Sequence, residues 1–352
     1  MSSPALVSLG WDATRARAFA AFTDQTLVPA RVARVDRGGC DTLTAAGPLR
    51  CSYGANVLAE PPCTGDWVAA RCWPDDRVTV EAILERRTLL SRLTVTPGQS
   101  KSQPLASNVD VVFVAGAVPD PDLGRIERLL AVVWESGARA VVLLTKADLA
   151  GSAIDVLLDD VREIAGDAPV HGVSAPTGLG LAELRAELPD GHTAALLGAS
   201  GVGKSTIANA LVGAELLPTA VLRADGKGRH TTVTRELVPL PGGGVLIDTP
   251  GLRSIGVNVA ASTVDRVFAD IEELAAGCRY RDCAHDAEPG CAVWEAIERG
   301  ELRERRLLSW RKLMREARYE RERSQARARA ELRRRQKRKK QDDQQTRLRA
   351  RP

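Results

Sequence analysis

The chain has 352 residues, 44% of them apolar, which supports two or three domains with buried cores and excludes a disordered tail. No stretch approaches 18 consecutive apolar residues, and the start (MSSPALVSLGWDATRARAFAAF) has no compact apolar segment after a basic one and no cleavage site, so a cytoplasmic protein without a membrane segment is expected. The net charge of +4 hides an asymmetry: residues 303–352 hold 21 Lys/Arg against 7 Asp/Glu, and the other 302 residues hold 28 against 38, a net of −10. An acidic body with a basic tail suggests a polyanionic partner reached by the tail, although a solvated charged helix would give the same run.

Residues 1–26 read as a short Ala/Arg-rich extension, in which FAAF suits one amphipathic turn. From Leu27 to about residue 88 short β-type runs (LVPARVARV, CDTLTA, DWVAARC, RVTVEAIL) are broken by RGG, AGP, EPPCTG and PDD. Five or so strands with turn signals every 8–12 residues predict a small barrel, either an ordinary β module or one that binds looped nucleic acid. Residues 89–107 are polar, Gly/Pro-broken and without a sustained period, and read as a linker. From 108 to 257 strand and helix patterns alternate, which predicts a largely parallel, doubly wound sheet. A helical segment bearing Cys and His follows over 258–301. Residues 302–352 contain no Gly and no Pro before Pro352, and predict a long basic helix that frays after Asp342.

The chemistry begins at the end of the apolar strand AVVLL with Thr145, Lys146, Ala147 and Asp148. A carboxylate in that place accepts from the ring N–H and exocyclic amine of guanine, a pair that adenine does not offer. The usual first residue of such a motif is Asn, whose amide braces the loop; Thr145 lacks it, so some loss of affinity is expected with guanine preference kept through Asp148. Ser174 and Ala175, after the strand PVHGV, resemble the loop that backs the guanine carbonyl. Next, Gly198, Ala199, Ser200, Gly201, Val202, Gly203, Lys204, Ser205 and Thr206 follow the strand TAALL and open a helix, the context a P-loop requires. Its backbone N–H groups would cradle phosphates, with Lys204 reaching the β and γ phosphates and the Ser205 hydroxyl holding Mg²⁺. Asp248, at the end of the strand GGVLI, supplies a carboxylate for that ion, and Gly251 an N–H that senses the γ-phosphate. Residue 252 is Leu, where many GTPases carry the Gln that orients the attacking water. His230, in the loop Gly226–Thr232, is the candidate for that task, with packing of the loop or an RNA contact as the alternative, and Thr231 or Thr232 would meet Mg²⁺ and the γ-phosphate.

In an ordinary GTPase the P-loop comes first and the base-reading motifs last. Here the order is reversed, so the domain reads as circularly permuted, a change tolerated where termini lie close together.

Cys278, Cys283, His285 and Cys291 offer three thiolates and one imidazole within 14 residues, a complete tetrahedral set for a structural Zn²⁺. The other cysteines (Cys40, Cys51, Cys63, Cys72) are scattered, which fits reduced thiols better than a disulfide framework. His171 and His192 have no such context and read as structural.

The motif order, Gly228–Thr232, Asp248–Gly251 and the Cys/His segment together resemble the ribosome small subunit-dependent GTPases of bacteria (RsgA type), over about residues 27–320. That resemblance implies an OB-type barrel, a permuted P-loop GTPase domain and a C-terminal zinc-binding helical domain. It also implies a role late in small-subunit maturation; the expectation is a monomer that binds GTP or GDP with Mg²⁺, docks on the 30S subunit and its 16S rRNA and is stimulated by the subunit. A permuted GTPase of large-subunit assembly, or an RNA-binding factor that binds GTP with little turnover, would share part of the pattern.

Overall fold

In the computed structural model of the chain, the described residues are 3–22, 24, 26–58, 60–96, 99–213, 235–248, 259–286 and 288–349. They divide into two units, Met1–Gly256 with Arg266–Ala269, and Val257–Asp265 with Asp270–Pro352.

The first unit starts with two short helices, α1 (Pro4–Ser8) and α2 (Ala13–Phe19), where a single turn was expected. Asp12 caps α2 by accepting from the Arg15 N–H at 2.9 Å. Trp11 between the helices is buried and meets Trp67 edge-on at 4.8 Å.

Five strands follow: β1 (Leu27–Val35), β2 (Cys40–Thr44), β3 (Gly47–Tyr53), β4 (Trp67–Cys72) and β5 (Val78–Ile83). They run in the order β1-β2-β3-β5-β4, and β4 pairs back onto β1, which closes the barrel. Ala30, Val32, Cys40, Cys51, Val68, Ala70 and Val80 alternate inward to form its core. Cys40 and Cys51 face each other across β2 and β3 as free thiols.

Residues 89–107, expected as a linker, form an antiparallel hairpin of β6 (Leu89–Thr96) and β7 (Gln99–Ser107). Its end is fastened to the barrel by Asp66, which is fully buried. That carboxylate accepts from Ser107 Oγ at 2.6 Å, from Arg86 Nε and a terminal Arg86 nitrogen at 2.8 Å each, and from the Cys63 N–H at 2.8 Å. Such a set satisfies a buried charge that would otherwise be costly.

The α/β part comprises β8 (Val111–Ala117), α3 (Leu123–Ser136), β9 (Arg139–Thr145), α4 (Ile154–Ala165), β10 (Val170–Val173), α5 (Leu181–Ala186), β11 (Thr193–Gly198), α6 (Lys204–Val212), β12 (Glu236–Pro239) and β13 (Val245–Asp248). The sheet order is β10-β9-β8-β11-β13-β12, parallel except for β12, and β12 also pairs with β1 at Glu236 and Arg34. Phe113, Val141, Leu143, Leu196, Ile207, Leu211 and Leu246 pack one face of it. Near-continuous apolar strands such as VVFVA and AVVLL are what a parallel sheet covered on both faces demands.

Arg31 of β1 is buried beneath the barrel and stacks on Trp67 at 5.2 Å. It donates to Leu9 O at 3.0 Å, Asn108 O at 3.2 Å and Thr193 Oγ1 at 3.0 Å, so one side chain joins the N-terminal helices, the barrel and the start of β11. Burial lowers its pKa to about 9.

A seven-residue helix, α7 (Ala261–Val267), spans the boundary of the two units. The second unit contains α8 (Ala269–Ala275, from Asp270), α9 (Ala292–Glu298) and α10 (Glu304–Arg349). Ile271, Val293, Ala296, Leu302, Leu307 and Leu313 are buried in it, and Arg306 clasps both carboxylate oxygens of Asp270 at 2.5 and 2.8 Å. The helix α10 runs 46 residues, through the Asp342 region where fraying was expected. Its residues are strong helix formers without a breaker, and that outweighs the charge crowding. Among the described residues no helix is long and apolar enough to cross a membrane.

Candidate nucleotide site and metal centre

The P-loop is built where β11 ends. All six residues of that strand are buried, and it lies between β8 and β13 in the middle of the sheet. Gly198 has φ +155, and a Cβ there would lie 2.6 Å from Ala115 O of β8, so the strand can turn into the loop only with glycine. Gly203 (φ 94) then starts α6, and no side chain caps that helix. The N–H groups and dipole at a helix start are the features that favour an anion. Lys204 Nζ is folded over the loop, donating to Gly198 O at 3.0 Å and Ala199 O at 2.6 Å. Ser205 and Thr206 lie in the first turn of α6, half-buried and exposed respectively. Asp248 ends β13, the parallel neighbour of β11, at the same end of the sheet. A hydroxyl and a carboxylate at that end are the hard oxygen donors Mg²⁺ takes.

The two segments expected from the sequence to read the base sit at the ends of β9 and β10, again at the carboxyl edge of the parallel strands. Lys146 adopts the left-handed conformation (φ 58) and leads into a 3₁₀ turn, Ala147–Leu149, that leaves the Asp148 side chain exposed. Ala147 is buried beneath it. Ser174 is buried and closes its own loop, its N–H donating to Leu179 O at 2.9 Å, while Ala175 packs on the sheet core. Thr145 is 1% exposed, and its Oγ1 donates towards Val202 O at 2.5 Å and Gly116 O at 3.2 Å. Sequence reasoning placed Thr145 on the nucleotide; its hydroxyl meets carbonyls of the P-loop and of β8. Gly116 was not foreseen, because a backbone carbonyl has no sequence signature. His230, Thr231, Thr232 and Gly251, with residue Leu252, lie outside the described residues.

In the second unit the ligand atoms of Cys278, Cys283, His285 and Cys291 all lie within 4.8 Å of one another. His285 Nδ1 is 3.6 Å from Cys278 Sγ and 3.5 Å from Cys291 Sγ, and those two sulfurs are 4.0 Å apart. Ligands 2.0–2.3 Å from a tetrahedral zinc lie roughly 3.5–3.8 Å from one another, so the two His285 edges fit a Zn²⁺ cage and the set as a whole is somewhat wider than one. Cys291 caps α9 by accepting from the Trp294 N–H at 3.4 Å. Burial holds the His285 imidazole below its ordinary pKa, in the neutral form that ligates metal. Two supports escaped the sequence reading. Glu288 accepts from the Ala284 N–H at 2.9 Å and lies 3.6 Å from Cys283 Sγ, and Arg311 of α10 donates to His285 O and pairs with Asp286 at 2.6 Å.

Known proteins are similar to this chain. The family model described as RsgA GTPase matches residues 83–258. A relative from Streptomyces coelicolor, named small ribosomal subunit biogenesis GTPase RsgA, is 52% identical over 89% of this chain and 86% of its own. The chain belongs to the RsgA GTPase family. It is accordingly a GTPase. An RsgA from Opitutus terrae is 43% identical over 89% of this chain and 90% of its own. Among solved structures, YjeQ from Thermotoga maritima superposes with a TM-score of 0.61 at 25% identity, covering 83% of this chain and 98% of that one. YloQ, described as a circularly permuted GTPase, gives 0.59 at 23% over 85% and 97%, a likeness of fold. In this chain β11 follows β9 and β10 in sequence and still occupies the centre of the sheet, the order expected of a circularly permuted GTPase.

Proposed function

We propose that this RsgA GTPase binds the small ribosomal subunit through 16S rRNA, acts late in its maturation, and hydrolyses GTP faster when docked there. The observation that supports this reading best is the near full-length likeness to relatives named small ribosomal subunit biogenesis GTPase, in a chain whose last 50 residues carry 21 Lys/Arg. In this reading Asp148 takes the guanine N–H and amine, and the Ser174–Ala175 loop backs the guanine carbonyl. Gly198–Gly203 hold the phosphates by their N–H groups, Lys204 leaves its two carbonyls for the β and γ phosphates, and Ser205 and Asp248 hold Mg²⁺. The ion, when bound, neutralises charge on the phosphate oxygens. His230 orients the attacking water, Thr231 or Thr232 and Gly251 sense the γ-phosphate, and the bond from the γ-phosphorus to the bridging oxygen breaks to give GDP and phosphate. Zinc has a structural role, since four protein ligands fill its tetrahedron. The barrel, the zinc module and α10 supply the RNA contacts, in a protein that works as a cytoplasmic monomer. Co-sedimentation with isolated 30S and 50S particles, in GDP and in a non-hydrolysable GTP analogue, tests the partner. Retention on 30S alone, strengthened by the analogue, is expected; equal retention on 50S would instead favour large-subunit assembly.

A further inference from the structure

The nucleotide site has two halves that are distant in the chain, the loop after β9 and the loop after β11. They are joined by one described side-chain contact, 57 residues apart in sequence: Thr145 Oγ1 to Val202 O at 2.5 Å. A hydroxyl carries one proton, and this distance is at the short end for an O–H···O bond, so the proton is committed to Val202. The second neighbour, Gly116 O at 3.2 Å, is another carbonyl competing for that same proton. Buried to 1% exposure, the Thr145 side chain has no proton left for a ligand. The Val202–Gly203 peptide is planar and trans, so its carbonyl and its N–H point in opposite directions. Anchoring Val202 O on Thr145 therefore aims the Gly203 N–H away from the sheet, at the start of the uncapped helix α6.

We propose that Thr145 is a positioning residue: its hydroxyl ties the base-reading loop to the phosphate loop, makes no contact with guanine, and leaves base selection to Asp148. An amide here would hold two protons, one for the tether and one for the guanine ring nitrogen N7; the hydroxyl keeps only the tether. The inference rests on residues 145–148 being the base-reading loop. It predicts a split: losing the hydroxyl weakens phosphate holding for every nucleotide alike and leaves discrimination among bases untouched.

The test is the affinity of the full-length protein and of Thr145→Val, Thr145→Ser and Asp148→Asn for GTP, GDP, ITP, 7-deaza-GTP and XTP. Removing the donor from a buried carbonyl should weaken GTP, GDP and ITP by a common factor of about 5–10 in Thr145→Val. The ratio of GTP to 7-deaza-GTP affinity should stay the same, and Thr145→Ser should restore binding to within about twofold. Unchanged affinity in Thr145→Val, an unequal loss between GTP and ITP, or a changed 7-deaza-GTP ratio would overturn the proposal. Asp148→Asn separates its failure from that of the site assignment. If that variant does not shift preference from GTP to XTP, the base is misplaced and the proposal falls with it. If it does shift while Thr145→Val misbehaves, only the role of Thr145 is wrong.

Discussion

The P-loop and the Cys/His loop, the two ligand sites proposed here, are both made of short contiguous motifs, yet they are held in opposite ways. The P-loop hangs from β11, a strand buried along its whole length, and is braced by Val202 against Thr145 of β9. Its shape is a property of the sheet, so the proposed phosphate cradle is formed before any ligand arrives. Residues 278–291 lie between two seven-residue helices and are largely exposed, with only His285 and Cys291 buried among the described ones. A loop with so little apolar burial offsets its ordering entropy through bonds to an ion. The first site should therefore survive loss of its ligand, and the second should not.

The largest expected effect is on the metal side. Cys283→Ser should reduce zinc from one per chain to near zero by elemental analysis. It should also expose residues 278–291 to proteolysis, since metal binding of about 10–16 kcal/mol in comparable modules is folding free energy. GTP affinity should stay within about twofold; a metal-free protein with an intact, protected loop would break the comparison. In the opposite sense, Lys204→Ala should cut GTP turnover by at least about a hundredfold, the scale for removing one preorganised charge from a transition state, with zinc content unchanged. A loss of zinc in that variant would show the two regions to be coupled.

Much of this contrast was legible in the sequence, because GASGVGKST, TKAD and the Cys/His spacing place all their chemistry within a few residues. Features resting on pairing at a distance were not. The hairpin β6–β7 was read as a linker, since polar residues such as Ser91, Arg92 and Thr94 hide its alternation; the Pro97–Gly98 pair between its strands was the available signal. Arg31 looked like one more charged residue of a strand, and only the folded chain brings Leu9, Asn108 and Thr193 to it. Thr145 looked like a weakened base reader because its partner, Val202, is a backbone carbonyl in another motif. Barrel closure through β1 and β4 joins residues about 40 apart and has no local signal.

Two smaller effects sharpen the picture. Truncation after Arg323 removes most of the basic run, and should lower 30S affinity by about 10–100-fold at low salt and flatten its dependence on salt, with GTP affinity kept. An unchanged salt slope would make α10 a passive solubilising helix. His230→Ala should lower the single-turnover rate at saturating 30S by about tenfold, with GTP and 30S affinities kept. A normal rate would assign the catalytic group to the subunit or to another residue.

The most direct measurement is multiple-turnover GTP hydrolysis by the full-length chain, alone and with purified 30S or 50S particles. Slow intrinsic turnover, raised by at least about tenfold by 30S and left unchanged by 50S, is the predicted result. Turnover indifferent to 30S, or raised equally by both particles, would contradict the account.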